Sequence, residues 1–226
     1  MRLLFITIFI LISVFLNGQN KHLSIGANET GICFGNSMNY SGIRLNWIDK
    51  NVFHVNGINF GLVTRAKKSN GFSFGLVANH DSIINGIAIN GLVSESNQIN
   101  GVLICGLAGY SQKINGLGIG GFGIVGDTMN GVFVGVLGSS YWNTEVIKVI
   151  NGCVIGLAIG SNTNKMNGVT LSLFNNVSDT LNGVAVALLN HTKELHGIQL
   201  GLWNVAENNR ILKKMPLLNI NFRRKK

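Results

Sequence analysis

A unit of about 15 residues recurs along most of this chain, and this repetition constrains the fold more than any other feature of the sequence. The unit reads N-G-φ-x-φ-G-φ, where φ is apolar, and its copies begin at Gly42, Gly57, Gly71, Gly86, Gly101, Gly116, Gly131, Gly152, Gly168, Gly183 and Gly197. Neighbouring copies are 14 to 16 residues apart except for one step of 21 between Gly131 and Gly152. Apolar residues two apart define one face of a β-strand, so the sequence predicts an all-β repeat fold.

Asparagine precedes the first glycine in nine of these eleven units. Asn-Gly readily accepts a positive φ, which predicts a bend or turn at each strand entry. We expect Gly116, in the middle of the array, to have a positive φ.

Two all-β architectures accommodate the period. In an antiparallel barrel of about twelve short strands, each unit supplies one strand and one turn. In a parallel β-solenoid with a coil of about 15 residues, each unit is one coil, the asparagines stack in a ladder and occasional insertions are accepted. The segments between the apolar strands are polar, for example Ser94–Gln98. A solenoid core needs two walls, so this polarity favours the barrel, which also closes the sheet edges. Pro216–Phe222 alternates as a last barrel strand would.

The N-terminus indicates export. Arg2 precedes a run of about 14 mostly apolar residues, Leu3–Leu16, that ends in polar Asn17–Asn20. We interpret residues 1–19 as a signal peptide and residues 20–226 as a single β-repeat domain with a basic C-terminal tail. Seven of the 18 basic residues lie between Arg210 and Lys226, where no acidic residue occurs. The rest of the chain is nearly neutral, so the charge of +9 does not favour a nucleic-acid partner.

The repeated units, the apolar N-terminus and the closing sequence PLLNINF resemble a family of bacterial surface repeat proteins that chain many G-φ-x-φ-G-φ units. The resemblance covers about residues 30 to 222. It implies a cell-envelope protein, a shallow many-stranded barrel and no assigned activity.

Residues that could perform chemistry are scattered. The five histidines lack a metal-ligand spacing, and Cys33, Cys105 and Cys153 are far apart without a CxxC pair. The nine carboxylates occur singly, Ser37 lacks a partner for nucleophilic catalysis, and Gly118–Gly123 lacks the strand-loop-helix context of a phosphate-binding loop. The sequence therefore predicts no catalytic residue, no cofactor-binding or metal-binding residue, no cofactor and no enzyme activity.

Two non-enzymatic functions remain. The first is a structural barrel of the cell envelope, outer membrane or cell surface, in contact with membrane lipid or an envelope component. The alternative is a secreted module that binds a glycan, a surface or a protein. Tyr110, Tyr141, Trp142 and Trp203 fit an interfacial belt in the first case and sugar-stacking platforms in the second. The sequence specifies no small-molecule ligand and does not determine which strand face points inward.

Overall fold

A computed structural model describes residues 22–138 and 147–222, and all of its regular elements are β-strands. The strands are β1 His22–Ile25, β2 Thr30–Gly35, β3 Asn39–Leu45, β4 Val52–Thr64, β5 Ala66–Asn79, β6 Ile83–Asn90, β7 Val93–Cys105, β8 Ala108–Gly120, β9 Gly123–Gly135, β10 Ile147–Gly156, β11 Ile159–Ser172, β12 Asn175–Val186, β13 Leu189–Ala206 and β14 Lys214–Asn221. The predicted signal peptide, residues 1–19, and the basic residues 223–226 lie outside the described residues.

The strands follow one another in a single sheet, and each strand from β2 to β13 is parallel to its neighbours within that series. Pairing is in register between units: Ile104 lies opposite Ile119, and Gly101 lies opposite Gly116. The fold is therefore a parallel β-solenoid of about 11 turns, as the alternative proposed. The prediction of an antiparallel barrel was wrong.

The reason for the error lies in the half of each turn that precedes Asn-Gly. This half belongs to a strand and is not a polar loop, because β7 runs unbroken through Asn100-Gly101. Along it, Ser94, Ser96 and Ile99 point inward and are buried, while the residues between them are more exposed. In this turn small polar side chains thus form most of the second wall, and the large apolar residue Ile99 completes it. The same alternation places Glu95, Lys113 and Asp127 within strands.

The asparagines before the repeated glycines form a hydrogen-bonded ladder along one corner of the solenoid. Each side-chain amide donates to the side-chain oxygen of the asparagine one turn earlier, and eight such bonds of 2.6 to 2.8 Å join Asn56, Asn70, Asn85, Asn100, Asn115, Asn130, Asn151, Asn167 and Asn182. Gly116 has φ of 135°, which confirms the predicted positive φ at this corner. The 21-residue step leaves the stacking intact, because Gly152 still pairs with Gly131.

The core changes in character along the axis. In the middle turns it is apolar, with Leu103, Ile114 and Phe133 fully buried. Near the C-terminus a second asparagine ladder lies inside, where Asn176 donates to Asn190 at 3.1 Å and Asn190 donates to Asn204 at 2.8 Å. Buried amides on neighbouring turns therefore satisfy one another.

An antiparallel strand covers each end of the parallel stack. β1 pairs with β2 and β14 pairs with β13 in this way, and the sheet order starts at β1 and finishes at β14. Pro216–Phe222 was predicted to be a strand, and most of it lies in β14. This strand is an end cap of the solenoid and does not close a barrel. The described residues include no helix that is long and apolar enough to cross a membrane.

Candidate interaction surface

The most unusual surface of the solenoid consists of the apolar residues that the sequence repeats most strictly. The second residue after each glycine, such as Leu103 or Phe133, is fully buried. The first and third residues therefore point outward, and Ile87 and Val132 remain 42% and 41% exposed. The strand face that the sequence left undetermined is thus settled, with the strictly apolar positions on the outside.

In-register pairing arranges these outward residues in two columns. The first column includes Ile58, Phe72, Ile87, Val102, Leu117 and Val132, and the second includes Phe60, Phe74, Ile89, Ile104, Ile119 and Val134. The end strands extend both columns, because Leu23 and Ile25 pair with Phe34 and Ile32, and Leu218 and Ile220 pair with Leu200 and Ile198. We call these two columns, from β1 to β14, the apolar face.

The apolar face is large for a surface in water. Each of the fourteen strands contributes two outward side chains, and none of them is charged. Fourteen strands spaced by about 4.8 Å and two residues in width give a face of roughly 60 by 10 Å. Monomeric soluble proteins rarely expose a continuous apolar patch of this size, so the face is the candidate interaction site.

A ridge of exposed apolar side chains borders the apolar face, at the corner where each turn bends from this face toward the opposite side of the solenoid. The side chains of this corner ridge are Leu76, Leu92, Leu107, Phe122, Leu157, Leu173, Leu188 and Leu202. Backbone hydrogen bonds hold the ridge in register, for example from Leu107 N to Leu92 O at 2.8 Å and from Phe122 N to Leu107 O at 2.7 Å. Leu157 is 67% exposed, so the ridge protrudes further than the columns beside it.

The opposite side of the solenoid, which we call the polar wall, presents the outward residues of the half-turns that precede Asn-Gly. Ion pairs join neighbouring turns there: Lys148 contacts Asp127 at 3.1 Å, and Lys193 contacts Asp179 at 2.8 Å. These charges are solvated and add little to stability. The protein therefore has an apolar side and a charged side, like an amphipathic helix on a larger scale.

One charged cluster is not on the surface. Arg44 and Asp49 form a fully buried ion pair of 2.8 Å, and Asn59 hydrogen-bonds to both residues. Two turns from Asp49, Asp81 accepts hydrogen bonds from Ala66 N and Asn79, and burial raises the pKa of its carboxyl group to about 6. Sequence reasoning missed this cluster. The sequence contained one signal of it: Arg44 occupies the same position in its repeat unit as Leu103 does, and Leu103 is a core residue.

The candidates considered for chemistry are not brought together. Cys33 and Cys105 are buried, Cys153 lies in the first column of the apolar face, and all three thiols are free. Ser37 donates a hydrogen bond to the backbone oxygen of Asn39 at 2.8 Å. Among residues 22–138 and 147–222, no three His, Cys, Asp or Glu side chains are placed to hold a metal ion.

The glycine-rich segment Gly118–Gly123 forms the end of β8, the corner that follows and the start of β9, so it opens no helix. Among the aromatic residues proposed for an interface, Tyr110 lies in β8 on the polar wall and Trp203 lies beside the corner ridge with 47% exposure. Tyr141 and Trp142 lie outside the described residues.

Comparisons with protein-family models, with curated proteins and with solved structures find no significant match for this chain.

Proposed function

We propose that this chain is an exported, non-enzymatic protein of the cell envelope that lies on a lipid surface through its apolar face. The observation that carries the proposal is the continuity of that face: two outward apolar residues on each of fourteen strands, with no charge among them. The apolar N-terminal run supports export, as does the resemblance to surface repeat proteins.

Lipid suits this face better than a glycan does. Recognition of a sugar requires hydrogen-bonding side chains between stacking platforms, whereas the columns hold only aliphatic and phenylalanine side chains and the thiol of Cys153. A surface of hydrocarbon needs no such partners. Covering roughly 600 Å² of apolar surface corresponds to about 15 kcal/mol at 25 cal/mol per Å², before the costs of association are subtracted.

The two-sided character of the solenoid supports the same orientation. With the apolar face in the headgroup and acyl boundary, the ion pairs of the polar wall point to water, as the charged face of an interfacial helix does. The corner ridge, which includes Leu157 and Leu202, then enters the lipid along one edge of the face.

The native thiol Cys153 provides a test. In a variant with Cys33→Ala and Cys105→Ala, an environment-sensitive fluorophore attached to Cys153 is mixed with phosphatidylcholine vesicles. We expect its emission to shift to the blue and to be quenched by a quencher embedded in the bilayer. The matched control carries Cys153→Ser and Lys113→Cys, which moves the label to the polar wall, where the signal should remain aqueous.

An aqueous signal from Cys153 on the same vesicles would overturn lipid binding. If the protein were also released freely from cells during fractionation, the alternative of a secreted binding module would be favoured. Equal quenching at positions 153 and 113 would indicate insertion without the proposed orientation.

A further inference from the structure

The loop between β13 and β14, residues 207–213, carries the most exposed large apolar side chain among the described residues. Ile211 is 90% exposed, and its neighbour Leu212 is 56% exposed. This loop is separate from the apolar face, since it follows the part of β13 that has already turned into the polar wall. Two adjacent apolar side chains at the tip of a loop gain free energy only if something other than water covers them.

The base of the loop is held firmly. Ala206 N donates to Lys213 O at 2.8 Å, which closes the loop across the start of β14. Asn208 receives a hydrogen bond from Leu195 N at 3.0 Å and donates one to Leu195 O at 3.0 Å. Asn209 donates to the side-chain oxygen of Asn219 at 2.6 Å. The apolar tip is therefore presented by a braced loop.

Positive charge surrounds the tip. Arg210 precedes Ile211, Lys213 and Lys214 follow Leu212, and all three basic residues are exposed. The nearest acidic residue in sequence, Glu207, contacts His191 at 3.1 Å, and none of the ion pairs found in residues 22–138 and 147–222 uses the three basic residues. The chain contains no acidic residue after Glu207. The partner that fits is apolar in its interior and negatively charged at its surface.

We propose that this loop inserts Ile211 and Leu212 among the headgroups of an anionic membrane while Arg210, Lys213 and Lys214 contact lipid phosphates. The base of the loop lies against the polar wall, where Glu207 N donates to Thr192 O, so the loop and the apolar face cannot contact the same bilayer. The inference therefore goes beyond the proposed function and concerns a second, anionic membrane surface. Apolar residues flanked by basic residues satisfy both parts of an anionic bilayer surface, because each basic residue near that surface contributes about 1 kcal/mol, a factor of about five in affinity. Three basic residues then give a preference of roughly 100-fold at low salt.

The experiment compares binding of the full chain to vesicles of phosphatidylcholine alone and of phosphatidylcholine with 30% phosphatidylglycerol. Three proteins are used: the wild type, a loop variant (Arg210→Gln, Lys213→Gln, Lys214→Gln) and a tail variant with Arg223, Arg224, Lys225 and Lys226 replaced by Gln. A fluorophore at Ile211→Cys, in a background lacking the three native thiols, reports whether the tip meets lipid.

We expect the loop variant to lose most of the gain that phosphatidylglycerol gives the wild type, and the label at position 211 to be quenched from within the bilayer. The tail variant should keep a large part of the gain. If the gain disappears only in the tail variant, or if the label at 211 stays aqueous on anionic vesicles, the loop proposal is wrong. Both results leave the Cys153 signal on neutral vesicles unaffected, so failure of the loop proposal and failure of lipid binding by the apolar face are distinguishable.

Discussion

The substitution Gly116→Ala tests whether the Asn-Gly corner imposes the stacking of the turns. Gly116 has φ of 135°, a conformation that residues with a side chain rarely adopt. An added Cβ would overlap the carbonyl oxygen of Gly101 on the preceding turn, far inside van der Waals contact. The backbone must therefore change its conformation or the two turns must separate.

The expected destabilisation can be worked from these two effects. Backbone strain costs about 1 to 3 kcal/mol. Separation of the turns weakens at least one hydrogen bond of the parallel ladder, which contributes about 1 kcal/mol. We expect Gly116→Ala to lower the free energy of unfolding by about 2 to 4 kcal/mol. Gly116→Val should cost at least as much, because a β-branched residue is more restricted at positive φ.

Urea denaturation followed by circular dichroism measures the change, with Gly61→Ala as the matched control. Gly61 also lies in a strand, but it lacks the positive φ, and its added Cβ would lie 3.1 Å from its nearest neighbour, Asn46 O. The control should cost distinctly less than Gly116→Ala. If Gly116→Ala falls within about 0.5 kcal/mol of the wild type, the corner geometry described for Gly116 is wrong.

Three further substitutions test the ladder, the core and the buried acid in denaturation experiments. Asn115→Ala removes two ladder bonds and should lower the free energy of unfolding by about 1 to 3 kcal/mol. Asn56→Ala removes one bond at the end of the ladder and should cost about half as much. Equal costs would argue against a continuous ladder. Phe133→Ala should cost about 3 to 5 kcal/mol, because Phe133 is fully buried against Gly118, and a cost below 1 kcal/mol would place it on the surface. Burial raises the pKa of Asp81 to about 6, so the folded state holds this proton more tightly than the unfolded state does. The protonated carboxyl group therefore contributes to the free energy of unfolding below pH 4, and this contribution is lost as the pH rises through 6. The free energy of unfolding of Asp81→Asn relative to the wild type should therefore increase between pH 4 and pH 7, by at most about 3 kcal/mol. A variant-to-wild-type difference that stays constant over that range would contradict the buried ionisation of Asp81.

Much of the repeat could be predicted from local sequence. Asn-Gly is a local signal for positive φ, and alternation of apolar residues is a local signal for a strand, so Gly116 and the strand character of β7 follow from the sequence. Strand direction does not follow from local sequence, because it depends on where Ser94 and Ser96 point once the turns are stacked. Interpreting those serines as turn residues removed the second wall and led to the barrel.

The sequence alone also did not predict which of the apolar residues point inward. The first, second and third residues after Gly101 are all apolar, so hydrophobicity alone does not show whether Leu103 or its neighbours point inward. The same unit position holds the polar residues Arg44 and Asn59 in earlier units, so the residue type at this position does not show which face points inward. Both residues are buried, because Arg44 pairs with Asp49 and Asn59 hydrogen-bonds to both of them. A buried polar network of this kind depends on contacts across turns, which no single unit of the repeat contains.

In-register parallel stacking with the apolar columns outward is tested most directly by a disulfide between Ile104→Cys and Ile119→Cys, in a variant whose three native cysteines are replaced by alanine. These positions are partners on neighbouring parallel strands, so their Cα atoms are about 4.8 Å apart, within the range that a disulfide requires. We expect the bond to form readily in the folded protein without loss of stability, and the pair at positions 104 and 134, two turns and about 10 Å apart, to remain reduced. Failure of the 104–119 pair to form while the protein is folded, or equal formation of the 104–134 pair, would contradict the parallel solenoid.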